Sequence, residues 1–174
     1  FGATRAEAEG GEPYLSPELW ALFADALDDE DEPVGWPWRG IREIADLNWG
    51  DTNTTKQSYV STGYPAYSAS GPDGFLSYYD FDTTGVVLSA IGANCGFTWL
   101  AKGKWSCIKN TIRFWSKYRY MPTEYLFLYT KGVDFWPKRG SAQPFVSQGD
   151  ARAMKVLLPS EEALVQFGDI VIPL

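Results

Sequence analysis

The chain has 174 residues, enough for one domain with a buried core. An aromatic content of 16% with 17 glycines and 11 prolines favours a sheet-rich domain over a helical bundle. The absence of histidine and of any C-x-x-C pair argues against a zinc site, so Cys95 and Cys107 are predicted to be packed, reduced thiols. The net charge of −7 argues against a nucleic-acid partner, but residues 99–149 hold nine bases against two acids.

The first third of the chain is acidic, with 13 acids against three bases over residues 1–51. Residues 1–13 lack the basic and apolar pattern of a leader peptide, and no apolar run is long enough to span a bilayer. Ser16 and Pro17 predict the start of a short helix that ends at the acidic run 28–32. Further on, residues 40–47 carry apolar side chains at the spacing of one helical face.

The middle of the chain predicts strands joined by turns. Residues 64–70 (YPAYSAS) alternate as a strand and lead into a turn at Gly71-Pro72-Asp73-Gly74. The segment 75–81 is strand-like and rich in aromatic residues. Val86 to Leu100 predicts a hairpin whose first strand is β-branched and buried. Apolar and polar residues alternate from Trp105 to Trp115, which predicts one continuous strand.

The region from Lys138 begins with two basic residues, which are followed by a predicted polar loop and two short elements of secondary structure. The polar loop carries Gln143 and is followed by one or two helical turns from about Gly149. An apolar strand over 154–158 is stopped by Pro159. Ser160 is a good helix start, although the segment DIVIPL near the end of the chain prefers a strand.

The order and spacing of these segments resemble a target recognition domain, the DNA-reading unit of type I restriction-modification specificity (S) subunits. The resemblance rests on the P-x-G-W turn at 33–36, the strand 64–70, and the loop 140–144 (GSAQP) with its short helix and proline-ended strand. It covers roughly residues 18 to 172. It implies a helix over 124–130, where alternating Tyr and Phe prefer a strand, and a helix through much of 160–172.

The resemblance implies an α+β fold with a curled, mainly antiparallel β-sheet and flanking helices. It divides the chain into an acidic lead-in with a short helix (1–32), the recognition domain (33–159) and the start of a truncated connecting helix (160–174). The acidic stretch before residue 33 is similar to the lead-in of a second recognition domain. The chain is therefore expected to be a fragment of a larger subunit.

The function implied by the resemblance is sequence-specific recognition of one half of a bipartite target in double-stranded DNA. The expected partners are methylation (M) subunits, which use S-adenosylmethionine, and restriction (R) subunits, which use ATP and Mg²⁺. This chain is expected to bind no cofactor, to be cytoplasmic and to be non-catalytic, with no membrane partner. No phosphate loop, dinucleotide fingerprint or base-flipping methyltransferase segment is present.

The candidate DNA-binding residues are cations for phosphates and polar side chains for base edges. Alternation places Lys109 and Arg113 on one face of a strand, and Lys102 and Lys104 at the tip of a turn. Without the resemblance, this pattern favours an ordinary half-buried sheet with a charged outer face. The full set of candidates is Asn53, Lys56, Tyr67, Ser68, Ser70, Lys102, Lys104, Lys109, Arg113, Lys138, Arg139 and Gln143.

Two alternatives remain open at the level of sequence. The aromatic content also suits a carbohydrate- or ligand-binding β-domain in which Trp99, Trp105 and Trp115 form a stacking platform. A recognition domain fused to its own methyltransferase is a third possibility. The Asp80 and Asp82 pair is interpreted as solvated carboxylates beside a turn, and not as a cation site or catalytic pair.

Overall fold

A computed structural model describes residues 21–22, 26–29 and 32–173 of the chain. The predicted lead-in 1–13 lies outside these residues, as does most of the helix predicted from Ser16. At the end of that predicted helix, Leu27 forms a β-bridge with Pro33 and is not helical. No helix in the described part of the chain is long and apolar enough to cross a membrane. The described strands are β1 Trp38–Gly40, β2 Ala45–Trp49, β3 Tyr64–Ser68, β4 Gly71–Leu76, β5 Phe81–Asp82, β6 Gly85–Ser89, β7 Thr98–Ala101, β8 Lys104–Cys107, β9 Thr111–Ser116 and β10 Lys155–Leu157. The described helices are α1 Ile41–Ile44, a 3₁₀ turn at Lys56–Ser58, α2 Thr123–Thr130, α3 Gln148–Ala153 and α4 Glu161–Val171.

Four strands form the first sheet, in the antiparallel order β2-β9-β6-β7. Its central strand β6 is fully buried, as its β-branched sequence predicts. Val86 and Leu88 face the main core, which also contains residues of all four α-helices. Val87 lies on the opposite face and packs against Trp105 of the second sheet. The hairpin predicted over residues 86–100 is confirmed, with Val86 paired to Leu100.

The second sheet has the strand order β4-β3-β8-β5, in which β3 and β8 run parallel. The turn predicted at Gly71–Gly74 is wrong, because Ser68 pairs with Gly71 and the hairpin loop is Ala69-Ser70. Gly71 has a φ of 102°, and a Cβ at this position would lie 2.9 Å from the Trp99 indole. Glycine is needed at this first residue of β4, because a side chain here would collide with the Trp99 ring. The aromatic segment predicted as a strand over 75–81 is a strand only at its two ends.

The single strand predicted from Trp105 to Trp115 is two strands, β8 and β9, that belong to different sheets. A turn at residues 108–110 separates them, and Asn110 has a φ of 70°. Asparagine tolerates this left-handed conformation better than most residues. Lys109 therefore lies in a turn and does not share a strand with Arg113, which corrects the predicted common face.

The helix predicted over residues 40–47 ends after one turn, and the chain continues as β2. The reason is that Ala45 adopts an extended conformation with a φ of −131° and pairs with Ser116 of β9. Ile41, Ile44 and Leu47 are nevertheless all buried, so their apolar spacing did identify core residues. One helical turn followed by a strand can bury the same three positions as a longer helix.

The C-terminal elements confirm the helices that the resemblance implies, and they overturn the strand preferences of residues 124–130 and of the segment near the end of the chain. The segment 123–130 is a helix although it alternates aromatic residues, because Leu126 and Thr130 point into the core. The phenol of Tyr125 donates to the Leu157 carbonyl at 2.6 Å, which joins α2 to β10. Ser160 caps the N-terminus of helix α4, because its hydroxyl accepts a hydrogen bond from the Ala163 N–H at 3.2 Å.

The α+β class with mainly antiparallel sheets is confirmed, while the division into 1–32, 33–159 and 160–174 stays a prediction. Cys95 and Cys107 are buried and unbridged, as predicted. Burial raises the pKa of the Cys107 thiol to about 12.

Candidate nucleic-acid interface

Five connecting segments meet at one end of the two sheets, and we call this surface the loop-end face. It consists of residues 50–58, 69–70, 91–97, 108–110 and 138–145. Backbone hydrogen bonds join the segments: the Lys109 N–H donates to the Thr54 carbonyl at 3.3 Å, and the Gly92 N–H donates to the Pro144 carbonyl at 3.0 Å. The Asn94 amide donates to the Ala69 carbonyl at 3.3 Å. The face is therefore held by the fold and is not a set of independent loops.

The loop after β2 is organised by Asp51. Its carboxylate accepts the Asn53 N–H at 2.9 Å and the hydroxyl of Thr54 at 2.5 Å. The Thr54 bond, followed by the Asn53 bond, lowers the pKa of Asp51. Thr54 also contacts the phenol of Tyr78 at 3.2 Å. These contacts fix the loop while the side chain of Asn53 remains exposed.

A second network ties the 3₁₀ turn to the β3–β4 hairpin through Asp73. This carboxylate accepts hydrogen bonds from Tyr59 and Ser68, each at 2.8 Å, and forms an ion pair with Lys56. Burial raises the pKa of Asp73, but the bonds from Lys56, Ser68 and Tyr59 outweigh it and the pKa is lowered. Lys56 is thus held at the surface beside Ser70, whose hydroxyl lies 3.4 Å from its Nζ.

A shallow cavity of about 170 Å³ opens between these networks and the β8–β9 turn. Lys56, Ser70, Lys109 and Asn110 line it, so two cations and two polar side chains converge on one depression. Lys109 is exposed and makes no ion pair with a carboxylate in the described part of the chain. Its charge is available to an anionic ligand.

The loop 138–145 supplies the remaining cations. Arg139 forms two parallel bonds of 2.6 Å to the carboxylate of Asp150, at the start of α3. These bonds, together with the Ser147 hydroxyl, lower the pKa of Asp150 to about 2. Arg139 also pairs with Phe145, which closes the loop around Gly140 with its φ of 79°. Lys138 and Gln143 are exposed on this loop.

The structure brings eight of the predicted residues to or beside the loop-end face, but not all of them are accessible. Among the eight, Ser68 is only 3% exposed and its hydroxyl donates to Asp73. Tyr67, a further predicted residue beside it in β3, is 8% exposed and packs in the second core cluster. These two residues shape the hairpin and are poor candidates for contact with a ligand. The eight residues are Asn53, Lys56, Ser68, Ser70, Lys109, Lys138, Arg139 and Gln143.

Three predicted cations lie away from this face. Lys102 and Lys104 sit in the β7–β8 turn at the far end of β7, a strand of four residues that spans about 13 Å. Lys102 lies 3.7 Å from Glu124, and Lys104 lies over the ring of Tyr79. Arg113 is in mid-strand, 3.2 Å from Asp46 and stacked over Trp115 at 4.2 Å. Lys102 and Lys104 flank a turn, as predicted, but none of these three cations joins Lys109 on the loop-end face.

Two asparagines on the loop-end face are not among the candidate residues predicted from the sequence. Asn110 lines the cavity and Asn94 lies at the tip of the β6–β7 turn. Their sequence signals were available: an asparagine inside an alternating run, and an asparagine between two glycines, are both typical of turns.

The stacking platform of the carbohydrate alternative does not form. Trp105 is fully buried, with its ring centroid 4.7 Å from Phe81 and 6.5 Å from Trp115. Trp99 and Trp115 pack against the same cluster. The described residues also contain no group of three or more His, Cys, Asp or Glu side chains placed to hold a metal ion.

Comparison with known proteins finds similar folds among solved structures. No model of a protein family matches the sequence, and no curated protein matches it. An S subunit of a type I restriction-modification system from M. genitalium superposes with a TM-score of 0.63 at 14% identity, covering 83% of this chain and 40% of that chain. A chain of the type I R-M system, solved in work on its complex assembly and conformational transition, gives 0.60 at 17% identity, with 90% and 42% covered.

The HsdS subunit from Thermoanaerobacter tengcongensis gives a TM-score of 0.54 at 16% identity, covering 89% of this chain and 41% of that chain. This chain therefore spans about two fifths of the length of the solved chains it matches. The resemblance read from the sequence is confirmed at the level of architecture, and the chain has the target recognition domain fold of type I S subunits.

Proposed function

We propose that this chain recognises double-stranded DNA sequence-specifically, reading one half of a bipartite target as the specificity component of a type I restriction-modification complex. The observation that carries the proposal is the convergence of Lys56, Lys109, Lys138 and Arg139 on the loop-end face of an S-subunit fold. Cations grouped at the loops of a rigid scaffold suit a phosphate backbone.

The exposed side chains of the face divide into two roles. Lys109 and Lys138 meet phosphates directly, whereas Lys56 and Arg139 exchange their present carboxylate partners for phosphate oxygens. Asn53 and Gln143 carry amide donors and acceptors that suit base edges in the major groove. Base contacts supply the preference for a sequence, and phosphate contacts supply the affinity.

The chain acts without catalysis in this proposal and binds no cofactor of its own. Methyl transfer and strand cleavage belong to the M and R subunits, which bring S-adenosylmethionine, ATP and Mg²⁺. The complex works in the cytoplasm. Alone, the chain binds weakly and salt-sensitively, because half a target offers few phosphates and the chain carries a net charge of −7.

The test is selection of duplexes from a random pool by the purified chain at low salt, followed by fluorescence anisotropy with the selected and the random duplexes. We expect a sequence preference that survives heparin competition. The double variant Asn53→Ala, Gln143→Ala should lose the preference and keep the salt dependence of binding. The double variant Lys102→Gln, Lys104→Gln is the matched control and should keep both. Equal binding of selected and random duplexes by the wild type would refute the proposal.

A further inference from the structure

A second basic depression lies along the free edge of β2, outside the loop-end face. It is a groove of about 360 Å³ lined by Arg42, Asp46, Asn48, Lys117 and Arg152 and by the backbone of β2. Strand β2 pairs only with β9 in the described part of the chain, so its other edge faces the groove. Three cations from three separate elements therefore surround a single acid.

The cations are held in position by the backbone. Arg152 donates from Nη2 to the Leu47 carbonyl at 2.9 Å and to the Asn48 amide oxygen at 3.1 Å. Its Nε and Nη1 groups have no acceptor among the described residues, so part of the guanidinium fork is unused. Lys117 donates from Nζ to the Arg42 carbonyl at 2.6 Å, and its remaining protons are available.

The acid in the groove is already neutralised from the other side. Asp46 accepts from the Asn48 amide at 3.0 Å and lies 3.2 Å from the guanidinium of Arg113. Arg113 is largely buried, stacked between Phe81 and Trp115, and cannot turn toward the groove. Among the described residues, Arg42, Lys117 and Arg152 form no ion pair with a carboxylate, so their positive charge favours an anion.

We propose that the β2-edge groove binds a phosphodiester group of DNA, a contact that rests on the proposed function and extends it beyond the loop-end face. Helix α3 connects the two surfaces: Asp150 holds Arg139 on the loop-end face, and Arg152, two residues later, lines the groove. The helix has six residues, about 9 Å of length. A DNA strand carries one phosphate per about 3.4 Å of helix axis, so neighbouring phosphates of one strand are spaced closely enough to reach both surfaces.

Continuity with the loop-end face favours a phosphodiester over an acidic segment of a protein partner. Arg152 presents the planar fork that matches phosphate oxygens, while Arg42 and Lys117 add charge at the rim. The groove contact carries no sequence information, because no base edge is involved. It should position the duplex and add to the salt dependence of binding.

The experiment compares two charge-removing variants of the same chain. Arg42→Gln with Lys117→Gln removes two groove cations but leaves Arg152, which supports β2. Lys102→Gln with Lys104→Gln removes the same charge from the turn after β7, three strands from β2 and thus about 14 Å away. Lys117→Arg keeps the charge. Affinity for the selected and random duplexes is measured by anisotropy as a function of salt, with thermal unfolding as the folding control.

The groove variant should lower the slope of log K against log salt by about 0.9, since the groove neutralises one phosphate and each phosphate contributes about 0.9. Its affinity at low salt should fall about tenfold or more for every duplex, with the sequence preference unchanged. The β7–β8 variant and Lys117→Arg should behave as the wild type. An unchanged slope in the groove variant, or an equal loss in the β7–β8 variant, overturns the groove site while the preference for selected duplexes upholds the proposed function. Absence of any preference in the wild type overturns both.

Discussion

Replacing Trp105 with alanine would separate a core role for this residue from a surface role in ligand stacking. The side chain is fully buried at the centre of the second core cluster, against Tyr67, Phe81 and Trp115. Its indole N–H donates to the Thr83 carbonyl at 2.7 Å, which ties β8 to the segment before β6. The change should therefore destabilise the fold strongly, with any change in ligand binding as a secondary consequence.

The size of the effect follows from these contacts. Truncation of a buried Trp or Phe to Ala costs about 3–5 kcal/mol, and loss of one neutral hydrogen bond adds about 1 kcal/mol. The sum of about 4–6 kcal/mol is a large part of the roughly 5–15 kcal/mol that stabilises a typical domain. At about 2–4 °C per kcal/mol, the melting temperature should fall by roughly 8–24 °C.

The assay is thermal and urea unfolding of the wild type, Trp105→Ala and Trp38→Ala. Trp38 is 39% exposed, so its truncation removes less buried surface and should cost about 1–2 kcal/mol. A Trp105→Ala protein as stable as the Trp38→Ala protein would refute the packing argument. If that protein also lost affinity for an oligosaccharide, the carbohydrate alternative would be revived.

Three further predictions concern the loop-end face and the residues that support it. Lys109→Gln should lower the salt-dependence slope of DNA binding by about 0.9 for selected and random duplexes alike, and a change in sequence preference would contradict a pure phosphate role. The pKa of Asp150 is lowered to about 2 from its ordinary value of 3.8, so its stabilising contribution is present above about pH 4 and is lost as the pH falls toward 2. Between about pH 5 and pH 2.5, the free energy of unfolding measured in urea should fall more for the wild type than for Asp150→Asn. Equal decreases in the two proteins would count against this ion pair. Gly74→Ala would place a Cβ 2.1 Å from the Tyr59 ring and should cost about 1–3 kcal/mol, whereas Gly132→Ala meets no atom within 4 Å and should be neutral.

The sequence predicted elements well where one signal dominated. The hairpin over residues 86–100 combines a buried apolar run with turn glycines, and α4 begins at a capping serine. The prediction was wrong where the alternation of apolar and polar residues continued across a turn. Alternation runs unbroken through residues 105–115, and the turn at Asn110 leaves the period of two intact while moving the chain between sheets. Periodicity indicates on which face of a strand a side chain lies, but it does not indicate to which sheet the strand belongs.

The candidate site could be predicted only in part, because its geometry depends on long-range pairing. The parallel pairing of β3 with β8 brings Ser70 next to the turn that carries Lys109, although 38 residues separate them in the sequence. No local pattern encodes that register. Lys102 and Lys104 are close to Lys109 in sequence, yet the length of β8 places them at the opposite end of the sheets. Residue type alone also did not show that Ser68 is buried.

The parallel pairing of β3 with β8 has a kinetic consequence. A parallel pair cannot close through a tight turn, and the four strands β4 to β7 lie between β3 and β8 in the chain. The entropy of closing this long loop makes the contact of residues 66 and 106 slow to form. Local hairpins such as β6–β7 can form first, and the cavity between Lys56 and Lys109 is assembled only in a late folding step. Substitutions at the Ala66–Ser106 pair should therefore change the refolding rate less than the unfolding rate.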